Sequence, residues 1–227
     1  MTSEIPTNDL DRVALNKSRL TLLLIMGIPV TMILTATWLW YFVVQGDLDL
    51  VGKLGTSNRG TLVQPPRQID EFGLSDRDGR DFSYTDVDRR WTLLVPYSGP
   101  ECDARCEATL YVTRQIHTAM GKELPRIRRM YVANQPLSEQ ALAVDTLSDE
   151  RPAPSSLEAY FDQQQRGLIP LYMSGADFDV AFSEYLAARD TWYLVDPAGW
   201  IMMSYSSEVT YKDVISDLKF LLKNSSE

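Results

Sequence analysis

The N-terminal part of the chain contains an apolar run of 25 residues without a charged side chain, at residues 20–44. At about 1.5 Å per residue, a helix of this length can cross a hydrocarbon layer of about 30 Å with some tilt. Trp38, Trp40 and Tyr41 cluster at its C-terminal end, as an interfacial aromatic belt would. A cleaved signal peptide would have an apolar core of about 7–15 residues and a small-x-small site, which residues 43–47 lack. The sequence therefore predicts one N-terminal transmembrane helix.

The basic residues around this run predict its orientation. Three precede it and two follow it closely: Arg12, Lys17 and Arg19, then Lys53 and Arg59. By the positive-inside rule, residues 1–19 lie in the cytoplasm and the chain after about residue 45 lies outside. We therefore expect a single-pass protein of the inner (cytoplasmic) membrane whose C-terminal domain is periplasmic or otherwise extracytoplasmic. Disulfides form and persist in such a compartment.

The charge of the chain limits its partners. The formal net charge is −9, and the tail through residue 19 holds three acidic and three basic residues, so the excess belongs to the external part. This argues against nucleic acid and against an anionic membrane surface as partners. Four segments are predicted: a cytoplasmic tail (1–19), a transmembrane helix (20–44), a linker rich in Gly, Asn, Thr and Pro (45–69), and one domain (70–227).

The external chain alternates strand-like and helix-like patterns. In order, the predicted elements are a hairpin around residues 76–79, a buried strand at 91–97, a helix at 104–120, a strand at 127–132, a short helix at 138–147, a helix opened by the capping box 155–158, a strand at 168–173, a helix at 177–188, a hairpin at 192–204 and a final helix around 214–222. This order predicts an α/β sandwich, with helices on both faces of a central mixed sheet.

Cys102 and Cys106 are the only cysteines, and they lie between the first buried strand and the following helix as Cys-Asp-Ala-Arg-Cys. At i and i+4 the two sulfurs share one helix face, close enough to form a disulfide or to hold one soft metal ion. Free N–H groups and the helix dipole stabilise a thiolate there. A purely structural disulfide closing so short a loop would contribute only about 2 kcal/mol. We therefore favour a reactive or metal-binding pair, and this position narrows the fold towards a thioredoxin-like one.

The two cysteines are expected to have different roles in exchange. Cys102 is the predicted attacking thiol, more acidic and more exposed, because it precedes the helix and lies nearest its free N–H groups. Cys106 would then resolve the mixed disulfide. These roles would make the protein a thiol–disulfide oxidoreductase.

Three stretches of the external domain resemble the Sco/SenC family, the membrane-tethered thioredoxin-like proteins of cytochrome oxidase assembly. They read FGLSDRDGRDFSYTDVDRRWTLLVPYS, GPECDARCEATL and TWYLVDPAGWIM, and their order and spacing hold over residues 70–222. The first resembles the hairpin that leads into the family's first core strand. The second keeps its Cys-x-x-x-Cys spacing, and the third resembles its Asp-Pro-x-Gly hairpin. The resemblance implies a thioredoxin-like fold, one N-terminal anchor and a role at the oxidase copper centre.

This chain departs from the family at the copper site. Family members bind copper with the two cysteines and a histidine shortly before the terminal hairpin, but residues 187–191 read Ala-Ala-Arg-Asp-Thr, and Asp103 stands where the family usually has Pro. The only histidine is His117, about 16 Å from Cys106 along one helix. Copper–ligand bonds are much shorter, so His117 is predicted to be a partly buried structural residue.

Copper binding is still compatible with the sequence, in a weaker form. Cys102 and Cys106 as thiolates suit Cu(I), which is a soft ion. Met173, Met202 and Met203 could add a third soft ligand, although methionines in such apolar runs usually fill the core. Because the histidine is missing, the sequence favours thiol–disulfide exchange over copper binding, since exchange needs only an accessible thiolate and its partner.

Three functions agree with these observations. The first is a membrane-anchored assembly factor for a haem-copper oxidase, which acts on the copper-bearing subunit, or on another thiol or copper protein, by exchange or by Cu(I) handling. The second is a general extracytoplasmic thiol oxidoreductase. The third is a non-catalytic scaffold that holds an oxidase subunit during assembly. The family resemblance favours the first.

Overall fold

A computed structural model describes residues 7–44 and 58–225, which belong to two compact units, Met1–Ser57 and Asn58–Glu227. In the first unit, helix α1 spans Thr7–Val44 with Pro29 inside it, and it contains all of the predicted transmembrane segment. Among the described residues, no helix has both the length and the hydropathy required to cross a membrane. The transmembrane assignment of residues 20–44 stays a prediction. Most of the predicted linker, residues 45–57, lies outside the described residues.

The second unit is built on an eight-stranded mixed sheet with the order β1-β10-β9-β4-β6-β8-β2-β3, and a separate two-stranded sheet pairs β5 with β7. The strands are β1 (Thr61–Gln68), β2 (Leu74–Asp76), β3 (Asp81–Phe82), β4 (Trp91–Tyr97), β5 (Glu101–Cys102), β6 (Ile127–Ala133), β7 (Ala141–Leu142), β8 (Leu168–Met173), β9 (Trp192–Val195) and β10 (Trp200–Tyr205). The helices are α2 (Ala104–Ala119), α3 (Leu157–Gln164), α4 (Gly175–Ala181), α5 (Ser183–Ala187) and α6 (Tyr211–Asn224).

The centre of the sheet is parallel and its flanks are antiparallel. Strand β4 pairs in parallel with β6, from Trp91 opposite Ile127 to Tyr97 opposite Ala133, and β6 pairs in parallel with β8. On the other side β4 pairs antiparallel with β9, which forms the terminal hairpin with β10. The predicted hairpin around residues 76–79 is confirmed as β2 and β3.

Both faces of the sheet are covered, because β4 alternates its side chains between two cores. Leu93 and Val95 lie in a core that includes buried residues of α2, α3 and α6. Leu94 lies in a second core, with buried residues of α4 and the start of α5. The predicted α/β sandwich, with a mixed sheet and helices on both faces, is therefore confirmed. The cysteines belong to the first core.

The folded domain begins earlier than residue 70, because part of the predicted linker forms the edge strand β1. Buried Asp217 on α6 accepts hydrogen bonds from the backbone N–H of Arg59 (2.8 Å) and Gly60 (3.2 Å). A side chain at Gly60 would meet Met203 and Tyr205 at 2.6 Å, so only glycine allows this approach. The composition of this stretch is typical of a tether, but long-range contacts to β10 and α6 order it.

Two predicted helices differ from the structure. Residues 138–147 form a 3₁₀ turn (Leu137–Glu139) followed by β7, because the backbone of β7 pairs with β5 beside the cysteines. The helix predicted at 177–188 is divided into α4 and α5 at Phe182, which is fully buried and not helical. At this break the Tyr193 hydroxyl accepts the Tyr185 N–H at 3.0 Å, so a tertiary contact replaces a helical hydrogen bond.

Candidate functional site

The cysteine pair lies where the central strand β4 passes into helix α2. Cys102 is the last residue of the short strand β5, and Cys106 lies in the first turn of α2. A disulfide joins them, with their Cα atoms 5.2 Å apart. The sulfurs are thus close together, as predicted, but Cys102 precedes the helix, so the expectation that the two share one helix face is wrong.

Asp103 caps the helix that carries Cys106. Its Oδ1 accepts the Cys106 N–H at 2.9 Å, and its backbone carbonyl accepts the Glu107 N–H at 2.9 Å. A proline has no side-chain acceptor, so this departure from the Sco/SenC pattern adds a hydrogen bond at the helix start. This capping role was not predicted from the sequence, although Asp is among the preferred N-cap residues.

Both sulfur-bearing residues are buried in the disulfide form. Cys102 is 0% exposed and Cys106 is 4% exposed. The expectation that Cys102 is the more exposed of the two is therefore wrong for this form. Cys102 belongs to β5, which pairs with β7, and its carbonyl accepts the Ala143 N–H at 2.9 Å. Both residues must therefore become more accessible before a partner thiol can react with the disulfide.

A polar network holds the loop between β4 and β5. Gly99 has φ +146°, and its N–H donates to Asn134 Oδ1 at 3.3 Å. Its carbonyl accepts hydrogen bonds from Gln135 Nε2 (2.9 Å) and Gln140 Nε2 (3.1 Å). Gln140 also accepts the hydroxyl of Tyr131 at 3.0 Å, and burial raises the pKa of that tyrosine well above its ordinary value. The loop that leads to the disulfide is thus fixed by side chains distant in sequence.

Glu107, the residue after Cys106, is a buried carboxylate that was not predicted from the sequence. It accepts hydrogen bonds from the N–H (3.1 Å) and hydroxyl of Ser148 and from the hydroxyl of Tyr160 (3.1 Å). Burial and this carboxylate together raise the pKa of Tyr160. The sequence does contain a signal for this burial, because Glu107 lies one turn before Leu110 and therefore on the apolar face of α2. Glu107 ties the first turn of α2 to α3 and to the segment after β7.

His117 lies at the far end of α2 and has a structural role, as predicted. Its Nε2 lies 3.0 Å from the carbonyl oxygen of Ile127 and 3.3 Å from that of Leu124. Burial lowers the pKa of His117, although these carbonyls oppose the effect. His117 is therefore bound to the backbone around the start of β6.

The region that holds the family's histidine contains Asp190 here, and that carboxylate already has partners. It accepts hydrogen bonds from the Ser207 N–H (2.9 Å) and hydroxyl, which hold the pKa of Asp190 below its ordinary value.

Met173 lies in the core on the opposite face of the sheet from the cysteines, and Met203 accepts the Tyr205 hydroxyl at 3.0 Å. Within residues 7–44 and 58–225, no three His, Cys, Asp or Glu side chains are grouped to hold a metal ion.

A mixed sheet between two helical layers, with a Cys-x-x-x-Cys disulfide after the central strand, defines a thioredoxin-like protein. The chain belongs to the family described as transmembrane-like, thioredoxin-like, C-terminal domain, whose model matches residues 91–168 and 155–225. No curated protein matches the chain in sequence.

Solved structures of Sco proteins align with most of the chain. Yeast Sco1 is 14% identical with a TM-score of 0.51, and the alignment covers 76% of this chain and 99% of Sco1. Apo Sco1 from Thermus thermophilus is 18% identical with a TM-score of 0.49, over 74% and 99% of the two chains. A thiol:disulfide interchange protein from Bacteroides sp. is 14% identical with a TM-score of 0.45, over 74% and 92%. The alignment with yeast Sco1 shows a shared fold, so the Sco/SenC resemblance is confirmed at the level of the fold.

The N-cap of α2 predicts a difference between two substitutions at one position. Asp103→Ala removes the acceptor for the Cys106 N–H and should lower the free energy of unfolding by about 1 kcal/mol. Asp103→Asn keeps a side-chain acceptor and should stay within about 0.5 kcal/mol of the wild type. Urea denaturation of the oxidised protein measures both values. Equal losses in the two variants would contradict the capping role.

The buried histidine predicts a pH dependence of stability. Because folding lowers the pKa of His117, the unfolded chain binds more protons near pH 6.5, and the free energy of unfolding should fall as the pH drops from about 7.5 to 5.5. His117→Gln should flatten this dependence, since the chain has no other histidine. Denaturation curves at several pH values test this, and an unchanged slope in the variant would show that another group is responsible.

Proposed function

We propose that this protein is a membrane-anchored assembly factor for a haem-copper oxidase, and that it acts by thiol–disulfide exchange on a partner that carries copper-ligand cysteines. The observation that carries the proposal is the Cys102–Cys106 disulfide, between β5 and the first turn of α2. The shared fold with yeast Sco1 and the three Sco/SenC-like stretches support the oxidase as the client.

The exchange would run through a mixed disulfide. A client thiolate attacks one sulfur, the Cys102–Cys106 bond breaks, and the other sulfur leaves as a thiolate. A second client thiolate then displaces the protein, so two electrons and two protons pass from the client to the cysteine pair; the reverse sequence reduces the client. Both cysteines are buried in the disulfide form, so exposure does not distinguish them. Cys102, which precedes the helix, is proposed to carry the mixed disulfide, with Cys106 as the leaving and resolving thiolate.

Copper fits this site as cargo only after reduction. The disulfide offers no thiolate, whereas the reduced pair would offer two, which suits Cu(I). Asp190, in the region of the family's histidine, is a hard oxygen donor already bonded to Ser207. Exchange is therefore the better-supported activity, and Cu(I) transfer would be secondary to it.

A scaffold without thiol chemistry is the second candidate, and the burial of the disulfide favours it. Both cysteines lie in the main core with Leu110 and Leu137. Structural cysteines in such surroundings are usually inert. The two candidates differ in one requirement, because exchange needs both sulfurs whereas a scaffold needs only the fold.

The anchor is part of the same proposal. The apolar run at residues 20–44 would hold the protein in the inner membrane, with residues 1–19 in the cytoplasm and the thioredoxin-like domain outside. In α1 considered by itself, large apolar side chains such as Leu23, Met26 and Ile33 are exposed. A continuous exposed apolar surface of this kind is typical of contact with lipid or with another protein.

Cysteine substitutions separate exchange from the scaffold. If exchange is the function, Cys102→Ser and Cys106→Ser should each abolish oxidase assembly, and Cys106→Ser should trap the client through Cys102 as a mixed disulfide. Oxidase activity and non-reducing gels measure the two effects. Asp103→Ala is the matched control, because it weakens the same helix start and leaves both sulfurs in place. Normal assembly with the double serine variant would exclude exchange and leave the scaffold.

The anchor predicts the topology of the chain. A reporter that is active only outside the cytoplasm should be active when fused after residue 227, and the protein should remain in the membrane fraction after alkaline washing. The mature protein should also retain its N-terminal 45 residues. Recovery of a free species that begins near residue 46 would contradict the anchor and support a cleaved signal.

A further inference from the structure

At the other end of the sheet, Arg128 is buried with part of its guanidinium unpaired. It is the second residue of β6, it is 7% exposed, and its Nε and Nη2 have no hydrogen-bond partner among the described residues. Its Cζ lies 5.1 Å from the centroid of the Tyr84 ring. The next residue, Arg129, faces the opposite core and donates from Nη1 to Gln165 at 2.6 Å. Arg128 has the Tyr84 hydroxyl as a side-chain partner but leaves two nitrogens without one, whereas Arg129 leaves only its Nε without a partner among the described residues.

An unpaired guanidinium in such a place is costly to the folded state. Burying a charge without a counter-ion is strongly unfavourable, and a cation–π contact recovers only part of the loss. Burial lowers the pKa of Arg128, but an arginine side chain does not give up its proton in proteins. The missing component is therefore an acceptor with a negative charge.

Arg128 lines a cavity of about 370 Å³ that could admit such an acceptor. The cavity lies at the start of the parallel strands β4, β6 and β8, whereas the disulfide follows the other end of β4. The apolar side chains of Val87 and Ile169, both partly buried, form part of its wall. The site is thus separate from the cysteine pair and has both a charged and an apolar component.

The other charges around the cavity limit the charge of the ligand. Asp88 and Arg90 neutralise each other, with Oδ2 and Nη2 2.7 Å apart, and Asp86 lies on the solvent side of the lining. The lining is formally balanced, with two carboxylates and two guanidiniums, but Asp86 is exposed to solvent whereas Arg128 is buried. Inside the cavity, Arg128 therefore matches a ligand with a single negative charge. A phosphate dianion would meet two carboxylates at the rim. A planar carboxylate fits the paired donors of a guanidinium.

We propose that this cavity binds one carboxylate group attached to an apolar body, held by Arg128, with the apolar part against Val87 and Ile169. The ligand is either a small organic acid or the C-terminal residue of a peptide, since both present this chemistry. The exposed side chains of Asp88 and Arg90 move aside as the carboxylate approaches the guanidinium. The proposal does not depend on the chemistry of the cysteines.

Four probes test the ligand class on the purified full-length protein. N-acetyl-leucine represents a peptide C-terminus, 4-methylpentanoate represents a free acid, N-acetyl-leucinamide is the uncharged control, and inorganic phosphate is the dianion. Calorimetric titration should show one site with at least about tenfold higher affinity for one or both acids than for the amide. Binding of N-acetyl-leucine alone assigns the site to peptide C-termini, and binding of 4-methylpentanoate assigns it to small acids. Equal affinity for acid and amide, or tighter binding of phosphate, overturns the proposal.

Substitutions test whether Arg128 is the binding group. Arg128→Met should reduce the affinity for the acid about tenfold or more, and Arg128→Lys should reduce it less. Arg89 is a neighbouring arginine that does not line this cavity, so Arg89→Met should leave the affinity unchanged. Without ligand, Arg128→Met should melt at the same temperature as the wild type or higher, because an unpaired buried charge has been removed. If Arg128→Met does not fold, two measurements test the proposal instead. They are the affinity of Arg128→Lys for the acid and the comparison of acid with amide in the wild type. Wild-type affinity in Arg128→Met would overturn the assignment.

Discussion

Strand β4 is the element on which the rest of the domain depends, because it is paired on both edges and nearly all of its residues are buried. Its alternating side chains separate two cores, one with α2, α3 and α6 and the other with α4 and α5. Its C-terminal end leads through a short loop to the cysteine pair. The position of the disulfide is thus a consequence of how the central strand is packed.

The disulfide combines a reactive location with an inert environment. The first turn of a helix favours a thiolate, whereas the surrounding core limits access to both sulfurs. Glu107 and Asp103 fix this helix start through Ser148, Tyr160 and the N–H of Cys106. Exchange in such a site would require both cysteines to become more accessible. Opening on contact with a client would protect the cysteines from unrelated thiols.

The two ends of the parallel strands carry different chemistry. The end that follows β4 holds the disulfide, which is neutral and buried, and the end at which β6 starts holds the partly unpaired guanidinium of Arg128 beside a cavity. The first is compatible with electron transfer between thiols. The second is suited to an acid ligand and adds a site that the Sco/SenC resemblance does not imply. A partner peptide or small acid could therefore be bound at the end of the domain opposite the cysteines.

Local pattern was sufficient for the elements whose signals are contained within a few residues. Neighbouring residues predicted the buried run of β4, the hairpin at residues 76–79 and the helix after Cys102. They also predicted that the two sulfurs lie close together and that His117 has a structural role. Tertiary structure decided what depends on distant partners. Strand β1 is ordered by Asp217, far away in sequence, and β7 by pairing with β5. The burial of the sulfurs and the isolation of Arg128 likewise follow from packing between elements, because accessibility and unpaired charge are properties of the assembled surface that no local spacing contains.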